Sequence, residues 1–104
     1  MEKSMERARE ILDKPELLCL LAEECTELAK AALKLRRAMT GTIPTPMTET
    51  DAWRKFNEEV ADVMLTLKVM EVPTDDAMVR EIQEYKMKRF VRRLEERLEK
   101  EKKA

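Results

Sequence analysis

Leu17-Leu18-Cys19-Leu20-Leu21-Ala22-Glu23-Glu24-Cys25-Thr26-Glu27-Leu28-Ala29-Lys30-Ala31-Ala32-Leu33-Lys34-Leu35 decides the fold. Leu17, Leu21, Glu24, Leu28, Ala31 and Leu35 recur with spacings 4-3-4-3-4, a heptad-like seam on one helix face. One member is a carboxylate, Glu24, at a core position. The helix is expected from about Pro15 to Met39. Asp13, with Glu16 three residues later, has the form of a capping box. Pro15 suits a first turn that needs no intrahelical donor. Thr40-Gly41-Thr42 ends the helix, and Pro44 and Pro46 hold an extended loop.

Outward from this segment, three more helices are expected. A short one spans about Glu2 to Leu12, with Met5, Ala8, Ile11 and Leu12 as its apolar side. Another starts at Thr48 or Thr50, both able to cap, and ends before Pro73. Its stripe is Phe56, Val60, Val63, Leu67 and Met70, with Glu59 and Asp62 flanking it. Thr74 is read as the cap of the last helix, with Asp75 and Asp76 in its first turn. That helix carries Met78, Ile82, Tyr85, Phe90, Leu94 and Leu98. Its charged end, Arg92 to Lys103, is expected to fray or to lie in solvent. Short loops between long amphipathic helices predict an all-α, four-helix-bundle-like fold in a single domain, residues 1–104.

Composition agrees. The chain has 104 residues, room for one core. It has 41% charged residues, against ~25% in an average domain. Its 43% hydrophobic share still supplies a core. One Gly and four Pro are too few turn residues for a barrel of short strands. The absence of His excludes Ser-His-Asp and Cys-His catalysis and any imidazole zinc site. A net charge of −1 gives no general reason to bind nucleic acid. Cys19 and Cys25 lie ~9 Å apart along one helix, on nearly opposite faces, too far for a disulfide; they read as two buried thiols. No apolar run follows a basic start, and none approaches ~20 residues. A cytoplasmic protein with no membrane partner is expected.

Two segments carry chemistry. Glu23-Glu24-Cys25-Thr26-Glu27 and Glu58-Glu59-Val60-Ala61-Asp62 both read acid-acid-x-x-acid. Residues i and i+3 share a helix face, so Glu24 with Glu27, and Glu59 with Asp62, each form a pair of carboxylates. Four such groups on or beside core stripes are costly without cations. Oxygen-only donors suit a hard ion, Mg²⁺ or Mn²⁺. Antiparallel packing of the two helices would let the pairs face each other. Solvated acidic faces are the plainer reading of the same residues.

Leu21-Ala22-Glu23-Glu24-Cys25-Thr26-Glu27-Leu28 and Asn57-Glu58-Glu59-Val60-Ala61-Asp62-Val63 resemble the motifs of MazG-type all-α nucleoside triphosphate pyrophosphohydrolases. The loop Ile43-Pro44-Thr45-Pro46 and the basic Lys86-Met87-Lys88-Arg89 are similar to features of small MazG-like proteins. The resemblance covers about Leu17 to Leu94. It implies Mg²⁺-dependent hydrolysis of (d)NTPs to monophosphate and pyrophosphate, with a role in nucleotide-pool house-cleaning. By that resemblance Glu24, Glu27, Glu59 and Asp62 are the metal ligands, with Mg²⁺ as cofactor and Mn²⁺ as a substitute. Glu23 and Glu58 are the candidates for the base or for a group orienting a ligand. Lys86 and Arg89 would face the phosphates, or are ordinary solvated basic residues. Trp53 would stack on the base, or is buried against the bundle. The resemblance also implies assembly as a homodimer or homotetramer. Met64, Met70, Met78 and Met87 read as core gap fillers by default, or as the lining of a hydrophobic subunit contact. Two positions depart from related enzymes: Phe90 follows Arg89 where relatives active on dCTP often have Asn, and Thr66 stands where some have Tyr. Phosphoribosyl-ATP pyrophosphohydrolase activity and a non-catalytic helical module that binds a partner or senses nucleotides are the alternatives.

Overall fold

The computed structural model describes residues 1–41 and 47–104. Four α-helices follow one another: α1 Glu2–Ile11, α2 Lys14–Thr40, α3 Glu49–Val69 and α4 Ala77–Lys103. There is no strand among the described residues. No helix there is long and apolar enough to cross a membrane. The loop expected at Ile43-Pro44-Thr45-Pro46 lies outside the described residues.

The helix ends follow from local chemistry. The Asp13 carboxylate accepts from the Glu16 N–H at 2.9 Å, and the Asp13 N–H donates back to Glu16 Oε1 at 3.4 Å. This capping box starts α2, with Pro15 in the first turn. Gly41 ends the helix in the left-handed region at φ 62°, its N–H bonded to the Arg37 carbonyl at 2.9 Å. Thr48, not Thr50, caps α3 by accepting from the Asp51 N–H at 3.2 Å. The cap of α4 differs from the sequence expectation. Asp76, rather than Thr74, accepts from the Val79 N–H at 2.8 Å. A carboxylate is the better acceptor at the positive end of the dipole.

The end of α3 has no glycine to turn it. Glu71 takes the left-handed conformation, φ 59°. Its N–H bonds to the Lys68 carbonyl, and the Val72 N–H to the Leu67 carbonyl, at 3.0 and 3.1 Å. This is a Schellman motif built on a side-chain-bearing residue. Arg9 of α1 supports it. The guanidinium donates to the Val69 carbonyl at 3.3 Å and pairs with Glu71 at 3.4 Å. A cation against the negative end of α3 is favourable, and it ties α1 to that end.

The contacts divide the chain into two units, Met1–Val72 and Pro73–Ala104. Within the first, α2 and α3 pack along their length and α1 docks on α3. Met5, Leu17 and Val69 form a buried cluster, with Ala8, Leu12 and Met70 against it. The start of α2 therefore meets the end of α3. Farther along, Glu24 of α2 meets Glu59 and Asp62 of α3. Numbers rising on one helix and falling on the other make the pair antiparallel.

All six residues of the α2 seam are buried or half-buried. The α3 seam is Ala52, Phe56, Glu59, Val63, Thr66 and Met70, also buried or half-buried and with the same 4-3-4-3-4 cadence. Glu59 thus stands in the seam, not beside it. Cys19 and Cys25 correct the expectation of buried thiols. Both are free and exposed, because their positions fall off the seam. The second unit is α4 with the turn before it. The helix remains regular through its charged end to Lys103, with Arg92–Glu96 and Arg97–Glu101 pairs along it. None of its residues is buried.

Candidate metal centre

The two antiparallel seams each carry one glutamate at their third position, Glu24 on α2 and Glu59 on α3. Antiparallel packing brings these positions together near the middle of the pair. Asp62 lies one turn after Glu59 on the same side. One carboxylate oxygen from each of Glu24, Glu59 and Asp62 lies within 4.8 Å of the other two. Glu59 is only 5% exposed, Glu24 is half-buried and Asp62 is open to solvent.

Crowding of like charge has a consequence at Glu24. Loss of hydration raises its pKa above the ordinary 4.5, and the charges of Asp62, Glu59, Glu23 and Glu27 raise it further. Glu59 escapes isolation through Lys55. The Lys55 ammonium, one turn earlier on α3, lies 2.9 Å from Glu59 Oε1. That hydrogen bond, with the Glu59 charge behind it, raises the pKa of Lys55. A buried carboxylate with a cation at hydrogen-bond distance is expected from the cost of burying it alone.

The remaining candidates are dispersed. The Glu27 carboxylate stands outside the group of three and pairs with Lys30 at 3.5 Å. Glu23 and Glu58 are exposed, Glu58 at 4.0 Å from Lys55. Trp53 is 43% exposed rather than buried, its ring edge-on to Phe56 with centroids 5.9 Å apart. It precedes Glu59 by six residues, which turns it about 120° away from that carboxylate around α3. Lys86 and Arg89 belong to the Pro73–Ala104 unit. Lys86 is exposed; Arg89 is half-buried, its guanidinium 5.7 Å from the centre of the Tyr85 ring.

Lys55 is the residue that motif reading passes over. Its signal is the spacing Lys-x-x-x-Glu, which places an ammonium one helical turn from Glu59. Thr66, one turn beyond Asp62, is buried as well, and its hydroxyl donates to the Asp62 carbonyl at 2.9 Å. No buried side-chain nitrogen or oxygen among the described residues lacks a partner.

The donor set fits a hard divalent cation. It consists of oxygens alone, from two rigid helices, with a charge density that already disfavours ionisation of Glu24. Compared with protein-family models, curated proteins and solved structures, the chain matches none.

Proposed function

We propose that this chain is a Mg²⁺-dependent nucleoside triphosphate pyrophosphohydrolase of the MazG type. One observation carries the reading: the two acid-acid-x-x-acid helices deliver three carboxylates to one point, within 4.8 Å. Glu24, Glu59 and Asp62 would hold the ion, and Mn²⁺ would serve in place of Mg²⁺. When bound, the cation offsets the triphosphate charge and lowers the pKa of nearby water.

The chain's own groups do the rest. Lys55 holds the Glu59 carboxylate in place through its 2.9 Å contact. Glu23 or Glu58, both solvent-exposed, would take the proton from water as it attacks the α-phosphorus. The bond from that phosphorus to the bridging oxygen breaks, releasing monophosphate and pyrophosphate. The resemblance alone assigns Lys86 and Arg89 to the phosphates, Arg89 as a fork and Lys86 as a point charge. Trp53 offers an exposed ring to a base. A homodimer or homotetramer is part of the same proposal.

The test is product analysis over a panel of NTPs, dNTPs and phosphoribosyl-ATP with Mg²⁺, beside an EDTA control. Monophosphate plus pyrophosphate, formed only with the metal, supports the proposal, and the best substrate defines specificity. Turnover confined to phosphoribosyl-ATP would move the assignment to that enzyme class. One observation favours a non-catalytic module: Lys55 already neutralises Glu59. That reading predicts no turnover on any substrate.

A further inference from the structure

Helix α4 leaves a set of large apolar side chains uncovered. Met87 (60% exposed), Val91, Leu94 and Leu98 follow one another at spacings 4-3-4, a further heptad seam, exposed along the helix. In the heptad frame Met87 and Leu94 take d, and Val91 and Leu98 take a.

We infer that this seam is covered by the same helix of a second copy, running antiparallel, with Val91 against Leu94′ and Met87 against Leu98′ (primes marking the second copy). Antiparallel helices set a against d, so these four residues make a closed, two-fold-symmetric set of four layers. The flanking charges select this arrangement. The e positions are Glu81, Lys88, Glu95 and Lys102, alternating in sign. In this register e faces e′, which sets Lys88 beside Glu95′ and Glu81 beside Lys102′. All four symmetric pairs are of opposite charge. Within the chain, Glu81, Lys88 and Glu95 have no ion pair among the described residues, while Lys102 has a long exposed one at 3.8 Å to Glu99. A parallel pairing would instead place Arg97 beside Lys102′ and leave the other charges unmatched. One layer farther out, Glu84 would face Glu101′, which bounds the apolar contact at Met87 and Leu98.

The experiment is sedimentation equilibrium on the full chain, with helix content checked by circular dichroism. Lys88→Glu or Glu95→Lys each turns two attractive pairs into repulsive ones, and self-association should weaken about tenfold or more. The double variant Lys88→Glu/Glu95→Lys restores all pairs and should regain wild-type association. Mixing the two single variants should yield a mixed dimer that neither forms alone, because both cross-pairs are then complementary. A wild-type chain that stays monomeric to about 1 mM would overturn the inference. So would association untouched by the single changes, or weakened by them and not rescued by the swap or by mixing.

Discussion

The Lys55 ammonium lies 2.9 Å from the carboxylate of Glu59, which is itself almost wholly buried between α2 and α3. The acidic cluster thus holds a cation of its own. Lys55→Met should lower the melting temperature measured without divalent ions, because the buried Glu59 carboxylate loses its 2.9 Å partner. Mg²⁺ should recover much of that loss, and Mn²⁺ titrated under electron paramagnetic resonance should bind more tightly than to wild type. A melting temperature that Mg²⁺ leaves unchanged would count against a shared role for the ammonium and a metal.

Glu24 gives a pH dependence with a definite sign. Its pKa is raised in the folded state by burial and by Asp62, Glu59 and its other acidic neighbours. Between the ordinary carboxylate value of 4.5 and the higher folded value, the folded chain binds more protons than the unfolded chain. Stability therefore falls as pH rises through that window and recovers as pH falls. Glu24→Gln should flatten this part of the profile and keep or raise stability at neutral pH. Thermal melts of the two proteins across the acid range test it; an unaltered profile in the variant would refute the assignment to Glu24.

The all-α order of four helices was legible, and the 4-3-4-3-4 spacing on α2 identifies its buried face even with Glu24 in it. The α3 seam was not. Phe56, Val63 and Met70 belong to two overlapping stripes. One continues through Val60 and Leu67, the other through Glu59 and Thr66. Counting apolar residues favours the first. Packing against α2 selects the second, since Lys55 satisfies Glu59 and the Thr66 hydroxyl is satisfied by the Asp62 carbonyl. The same choice explains the site: Glu24, Glu59 and Asp62 converge, whereas Glu27 turns to Lys30. Thr74, Asp75 and Asp76 can all cap a helix, so sequence alone could not fix where α4 begins.

The antiparallel seam predicts a contrast between neighbours. Leu17 is 4% exposed and Leu18 56%. Leu17→Ala should cost about 2–4 kcal/mol, as for a buried leucine that leaves a cavity. Leu18→Ala should stay within about 0.5 kcal/mol. Urea unfolding of both variants measures this, and equal effects would contradict the seam.

At the α3 terminus, Arg9 and Glu71 have different tasks. Arg9→Ala removes the contacts to the Val69 carbonyl and to Glu71, with an expected loss of about 1–2 kcal/mol. Glu71→Gly loses one exposed ion pair but relieves the left-handed backbone, which costs a side-chain-bearing residue about 1 kcal/mol. It should be neutral or stabilising. Chemical denaturation that ranks Glu71→Gly below Arg9→Ala would show that the ion pair outweighs the backbone.

The most direct measurement is pyrophosphate release by wild type and by Glu59→Gln at equal Mg²⁺, with both proteins shown to be folded by circular dichroism. Glu59 is the buried member of the cluster, so its amide should reduce turnover by more than the ~10–100-fold typical of residues that only orient a metal ligand. EDTA should abolish the wild-type activity. Turnover by Glu59→Gln equal to wild type, or wild-type turnover that persists in EDTA, would contradict a metal-dependent hydrolase built on Glu24, Glu59 and Asp62.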